Sequence, residues 1–182
     1  MRYIKRRYYK QKLEENILKK LMIIMVIGSI LGALFFCFMN NETIEKLNMF
    51  IGSFLDVKND ISFNFAYYIE KILKGIKYYL FIWFLAYIPW GNIFIYIVIF
   101  AKGFFVSFTT ATFFNKYSFK GIGYIFSTYI FENIIVISLI FYISYKAIYY
   151  CKNKKNIYIN NYIKNLIVCM IIHLILSFII FI

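Results

Sequence analysis

The sequence predicts an all-α protein, a polytopic transmembrane helical bundle of about five spans with an external amphipathic helix before the second. Three observations predict it. Of 182 residues, 63% are hydrophobic and 23% aromatic while only 16% are charged, whereas water-soluble folds sit nearer half apolar and a quarter charged. The mean hydropathy is +0.70. Uncharged runs approach the ~20 residues that a helix needs to cross the hydrocarbon core. The net charge of +13 is confined to short segments between those runs, a pattern of flanks facing anionic lipid rather than of a folded basic domain binding nucleic acid.

Taken in order, residues 1–20 form a basic N-terminus carrying Arg2, Lys5, Arg6, Arg7, Lys10, Lys12, Lys19 and Lys20. The first span is 21–39, too long for a signal-peptide core and followed by Asn40 and Asn41 rather than a small-residue cleavage site. Residues 40–77 make an external segment. Within it Phe65, Ile69, Ile72 and Ile76 recur at steps of four, three and four, with Glu70, Lys71, Lys74 and Lys77 on the other face. That is an amphipathic helix suited to an interface. It is expected to continue into the second span, 78–88, which by itself is short and must begin near residue 69, with Gly75 as a bend.

Pro89-Trp90-Gly91 reads as a tight turn, because Pro89 has no backbone N–H to give and Gly91 accepts turn geometry. The third span is 92–114. A polar link, Asn115 to Gly121, leads to the fourth span, 122–145, then a basic loop, 146–162, and a fifth span, 163–182. The N-terminal cluster and the loop with Lys146, Lys152, Lys154 and Lys155 both fall on the cytoplasmic side by the positive-inside rule, which an even number of crossings between them satisfies.

Lys102 lies near the middle of the third span, and a charge there costs ~2.5–3.5 kcal/mol on insertion scales and calls for a partner. The fourth span carries Glu132. Counted from the link between the two spans, their depths differ by only about 3 Å at the α-helical rise. This predicts an intramembrane ion pair between Lys102 and Glu132, with Asn133 beside it. The pair serves either as a proton or ion relay or as structural glue fixing the register of two helices.

Gly28 and Gly32 form a GxxxG with Ser29 and Ala33 alongside, so another helix of this chain or of a second copy can approach the first span closely. Gly103 gives the third span a similar small face, continued by Ser107, Thr109, Thr110, Ala111 and Thr112. His173 is read as a packing residue of the last span. The three cysteines, Cys37, Cys151 and Cys169, have neither disulfide nor metal-ligand spacing. No catalytic residue, metal site or cofactor is expected, because the aqueous segments hold no paired carboxylates, no nucleophile beside a base and no phosphate loop.

The order of "GSILGALF", the external amphipathic stretch, "IWFLAYIPWGNIFIYIVIFAKGFFVSFTTATFF", "KGIGYIF" and "IFENIIVIS" resembles the stage II sporulation protein M family along nearly the whole chain. The most specific match is Lys102-Gly103 in an apolar run followed by small polar residues, together with Lys120-Gly121. Where the wider superfamily often has Pro-His-Gly ahead of an intramembrane Glu, Ser127, Thr128 and Tyr129 stand here, so no role of those positions transfers. The resemblance implies a non-enzymatic, multi-pass protein of the bacterial mother-cell and septal membrane during endospore formation. Its implied partners are a peptidoglycan lytic transglycosylase and an amidase/endopeptidase, which it holds or localises during engulfment. The docking segment expected is Phe50 to Phe65, with Phe50, Phe54, Leu55, Asp56, Ile61 and Phe63; the alternative for it is an interfacial helix facing lipid alone. The competing function is a small transporter or permease subunit coupled through Lys102 and Glu132.

Overall fold

A computed structural model describes residues 2–60, 65–124, 131–152 and 159–181, all as helices and their connections with no strand among the described residues. The six helices are α1 (Arg2–Cys37), α2 (Asn41–Asp60), α3 (Phe65–Leu85), α4 (Gly91–Tyr124), α5 (Phe131–Lys152) and α6 (Ile159–Phe181). Two stretches are long and apolar enough to cross a membrane, Gln11–Cys37 and Gly91–Ser118. Only 22% of one and 17% of the other is buried inside the bundle. Most of their apolar side chains point outward, while Ile17, Leu21, Ile95 and Ile99 face the core.

α1 is one uninterrupted 36-residue helix, about 54 Å long at the usual rise. No proline or glycine pair interrupts the passage from its basic start into its apolar half. The amphipathic stretch before the second span continues without a break into the apolar residues up to Leu85, making α3 a single helix. Gly75 is no bend in it. A Cβ there would collide with the ring of His173, so the glycine makes room for α6.

The turn between α3 and α4 is closed by backbone bonds from Ala86 N to Trp83 O, Tyr87 N to Phe84 O, Ile88 N to Leu85 O and Gly91 N to Ile88 O. Pro89 sits where no N–H is called for. The left-handed residue is Trp90, with φ of 67°, and Gly91 has an ordinary negative φ. Gly91 is needed for space: a Cβ would overlap the Leu85 carbonyl.

Within the expected link Asn115–Gly121, α4 is kinked at Ser118 (φ 50°, ψ −137°), where two helical stretches meet. α5 is described from Phe131 to Lys152, and residues 125–130 of the expected fourth span, 122–145, lie outside the described residues.

Contacts fix the relative directions. Gly28 and Gly32 of α1 face Phe100 and Phe104 of α4, advancing together, so these two helices are parallel. They form the most extensive helix pair. α3 returns antiparallel to α4, and the Cys151 thiol at the end of α5 donates to the Ala86 carbonyl beside the turn (3.3 Å). α5 touches α1, α3, α4 and α6, making it the central helix. The core gathers around it: Ile17 and Leu21 of α1, Tyr79 and Ile82 of α3, Ile95 and Ile99 of α4, and Ile140, Ile143, Ala147 and Ile148 of α5. At the turn end, Tyr162 stacks on Tyr150 (4.8 Å, 7°) and on Trp83 (5.9 Å, 12°).

Candidate functional site

The seam between α1 and α4 is built by glycines. A Cβ on Gly28 would strike the Phe100 carbonyl, on Gly32 the Phe104 carbonyl and on Gly103 the Met25 carbonyl. Each helix thus lays backbone against backbone. Ser29 Oγ lies 3.0 Å from the Met25 carbonyl and 3.3 Å from the Gly103 carbonyl, placing its one proton between the two helices. Above the seam Phe35, Phe36, Phe104 and Phe108 interlock, with the Phe104 and Phe108 rings parallel at 6.2 Å.

Lys102 neighbours Gly103 on the next face of α4. Because Gly103 lets α1 close over its own face, the lysine side chain is left to turn toward α3. Its Nζ stands 3.6 Å from the centroid of the Tyr78 ring. A cation–π contact of this kind contributes about 0.5–2 kcal/mol, more as it is desolvated. Tyr78 was not among the expected site residues. Counting depth from the Pro89 turn, instead of from the 115–121 link, puts Tyr78 and Lys102 at nearly the same level.

Glu132 is the second residue of α5, and its side chain lies outside the described residues. The expected contact between Lys102 and Glu132 therefore falls outside the described residues.

His173 is buried against Tyr79, whose hydroxyl is 3.2 Å from Nδ1 with the two rings edge to face at 5.3 Å. With Gly75 clearing the ring, α3 and α6 are joined by a polar contact inside an apolar interface. Tyr79, fully buried, had no signal in the sequence beyond its spacing on α3.

At the far end of α4 from the turn, α2 is fastened down. The Lys116 ammonium donates to the Asn48 carbonyl, the Asn48 amide donates to Asn115 Oδ1 (3.3 Å), and Ile51 packs on Phe113 and Tyr117. Gly52 leaves room for the end of the Lys116 side chain. Of the docking residues expected here, Phe50 is 67% exposed, beside exposed Met49. Phe54, Leu55 and Asp56 lie on α2 with side chains outside the described residues, as are Ile61, Phe63 and the Ser127–Tyr129 stretch altogether. No known family, no curated protein and no solved structure matches this chain.

Proposed function

We propose that the chain is a multi-pass membrane protein with about five crossings and a cytoplasmic N-terminus. In this reading it acts as a non-enzymatic scaffold that anchors or localises septal peptidoglycan hydrolases, a lytic transglycosylase and an amidase/endopeptidase, during engulfment in endospore formation. The observation that carries the scaffold reading is the fastening of α2. A helix pinned at Asn48, Ile51 and Gly52 to the exit of α4 holds Phe50 and Met49 outward in a fixed place. The basic start of α1 and Lys152 in the last turn of α5 fall at the opposite end. Resemblance to the stage II sporulation protein M family supplies the choice of partners.

The test is affinity purification of the tagged full chain from sporulating cells. Wall hydrolases should be recovered, and Phe50→Asp together with deletion of residues 54–63 should lose them. Absence of hydrolases from the unaltered sample would sink the scaffold. The mid-bundle ammonium of Lys102 favours a second reading, a small transporter or permease subunit. Solute or proton flux into liposomes holding this protein alone, abolished by Lys102→Met, is the outcome that reading requires.

A further inference from the structure

Trp90 puts a large side chain on a backbone that suits glycine. The Gly91 N–H donates to the Ile88 carbonyl across the turn (3.1 Å), with Pro89 in second place and Trp90 in third. Trp90 is left-handed there, with φ of 67°. In a proline-led turn, a third residue of that conformation is ordinarily glycine or asparagine. The indole is 76% exposed, so packing within the bundle does not account for it. Backbone strain is thus tied to a side chain that the fold itself leaves unused, a mark of function rather than of folding.

The tip of the α3–α4 hairpin also lacks what flanks the neighbouring helices. From Tyr78 to Ala101 the sequence has no charged residue. At the same end of the bundle α1 carries Lys19 and Lys20, and α5 ends on Lys152. Next to Trp90 the outer faces of the hairpin are apolar, with Phe84, Ile93 and Phe94 turned outward. Trp83, Tyr87, Tyr150 and Tyr162 gather at this end as well. An indole at the edge of an apolar band, among other Trp and Tyr rings, matches the boundary between hydrocarbon and headgroups, where the ring stays among chains and its N–H reaches ester or phosphate oxygens. The rim of a contact with a soluble protein is ordinarily polar, and this tip offers no charged side chain from which to build one.

We propose that Trp90 is a lipid anchor: its indole inserts into the phospholipid interface and fixes the depth at which the α3–α4 hairpin sits. The proposal rests on the membrane-embedded reading above and not on which proteins the scaffold serves. Because α1 is locked to α4 along the glycine seam, the anchor sets the depth of that helix too.

The experiment places the full chain in phosphatidylcholine vesicles with Trp83→Phe, so that Trp90 is the one tryptophan left. Lipids brominated near the top of the acyl chain should quench its emission more than lipids brominated near the chain end, and iodide should quench it less than free tryptophan. Depth is read from a nitroxide attached through Phe94→Cys, with Cys37→Ser, Cys169→Ala and Cys151→Ser, the last keeping a donor for the Ala86 carbonyl. Oxygen against a water-soluble nickel complex reports where the label lies. Trp90→Gly, which suits the turn's backbone, should carry it deeper by about 2–3 Å, the rise of one to two helical residues; Trp90→Tyr should hold it in place. Strong iodide quenching with none from either lipid, while the nitroxide reports hydrocarbon, overturns the proposal and leaves Trp90 to an aqueous partner. An unchanged nitroxide depth in Trp90→Gly overturns it as well. A nitroxide that reports water with and without Trp90 contradicts the membrane-embedded reading itself, and this proposal with it.

Discussion

Single side chains in this bundle are decided by what stands opposite them. Gly28 and Gly32 meet backbone carbonyls that cannot step aside, whereas Gly52 meets only the far end of Lys116. Gly28→Ala or Gly32→Ala is expected to destabilise by about 1–3 kcal/mol, the scale of overpacking in a filled interior. Gly52→Ala should stay within about 0.5 kcal/mol, as most surface changes do. Thermal unfolding in detergent micelles, followed by circular dichroism, checks the contrast; equal losses at all three positions would contradict the seam. At Tyr78 the ring face, not the hydroxyl, holds Lys102. Tyr78→Leu should therefore cost about 1–2 kcal/mol while Tyr78→Phe costs much less, measured by chemical unfolding in mixed micelles.

Among the helices and turns, the Pro89 corner makes the sharpest prediction. Trp90 is 76% exposed and holds a left-handed φ, a conformation that costs a side-chain-bearing residue about 1 kcal/mol or more. Trp90→Gly should stabilise by about that amount, and Gly91→Ala should destabilise by more, because the Leu85 carbonyl already fills its Cβ position. Unfolding midpoints of the two variants give the answer directly. The corner itself was legible from Pro89 and Gly91, as was the single α3 helix from its apolar spacing, because both signals are local. The seam glycines could be picked out by spacing, but their partner helix could not. The polar 115–121 segment signalled an interruption, and α4 is kinked within it at Ser118. Tyr78 stayed hidden because its contact depends on register across a turn, not on anything within its own neighbourhood.

The assembled bundle has two distinguishable ends, each marked by a natural thiol. Cys37 is exposed where α1 gives way to α2, and Cys151 lies at the Pro89 turn, while Cys169 is buried between them. If the N-terminus is cytoplasmic, a membrane-impermeant maleimide added to intact cells should label Cys37 in a Cys151→Ala, Cys169→Ala background. It should leave Cys151 unlabelled in the reciprocal variant until the membrane is opened. The reverse pattern would invert the topology. Parallel packing of α1 on α4 also constrains how the bundle is assembled. Ser29 and Gly103 are separated by 74 residues in the chain, roughly 4–15 s of synthesis at ~5–20 residues per second. In a membrane-inserted chain α1 would spend that interval with its glycine surface open to lipid or to an insertion chaperone. The most extensive helix pair in the finished protein thus cannot close until α4 has been made, and a slowed codon stretch between the two helices would lengthen the exposure of that surface rather than shorten it.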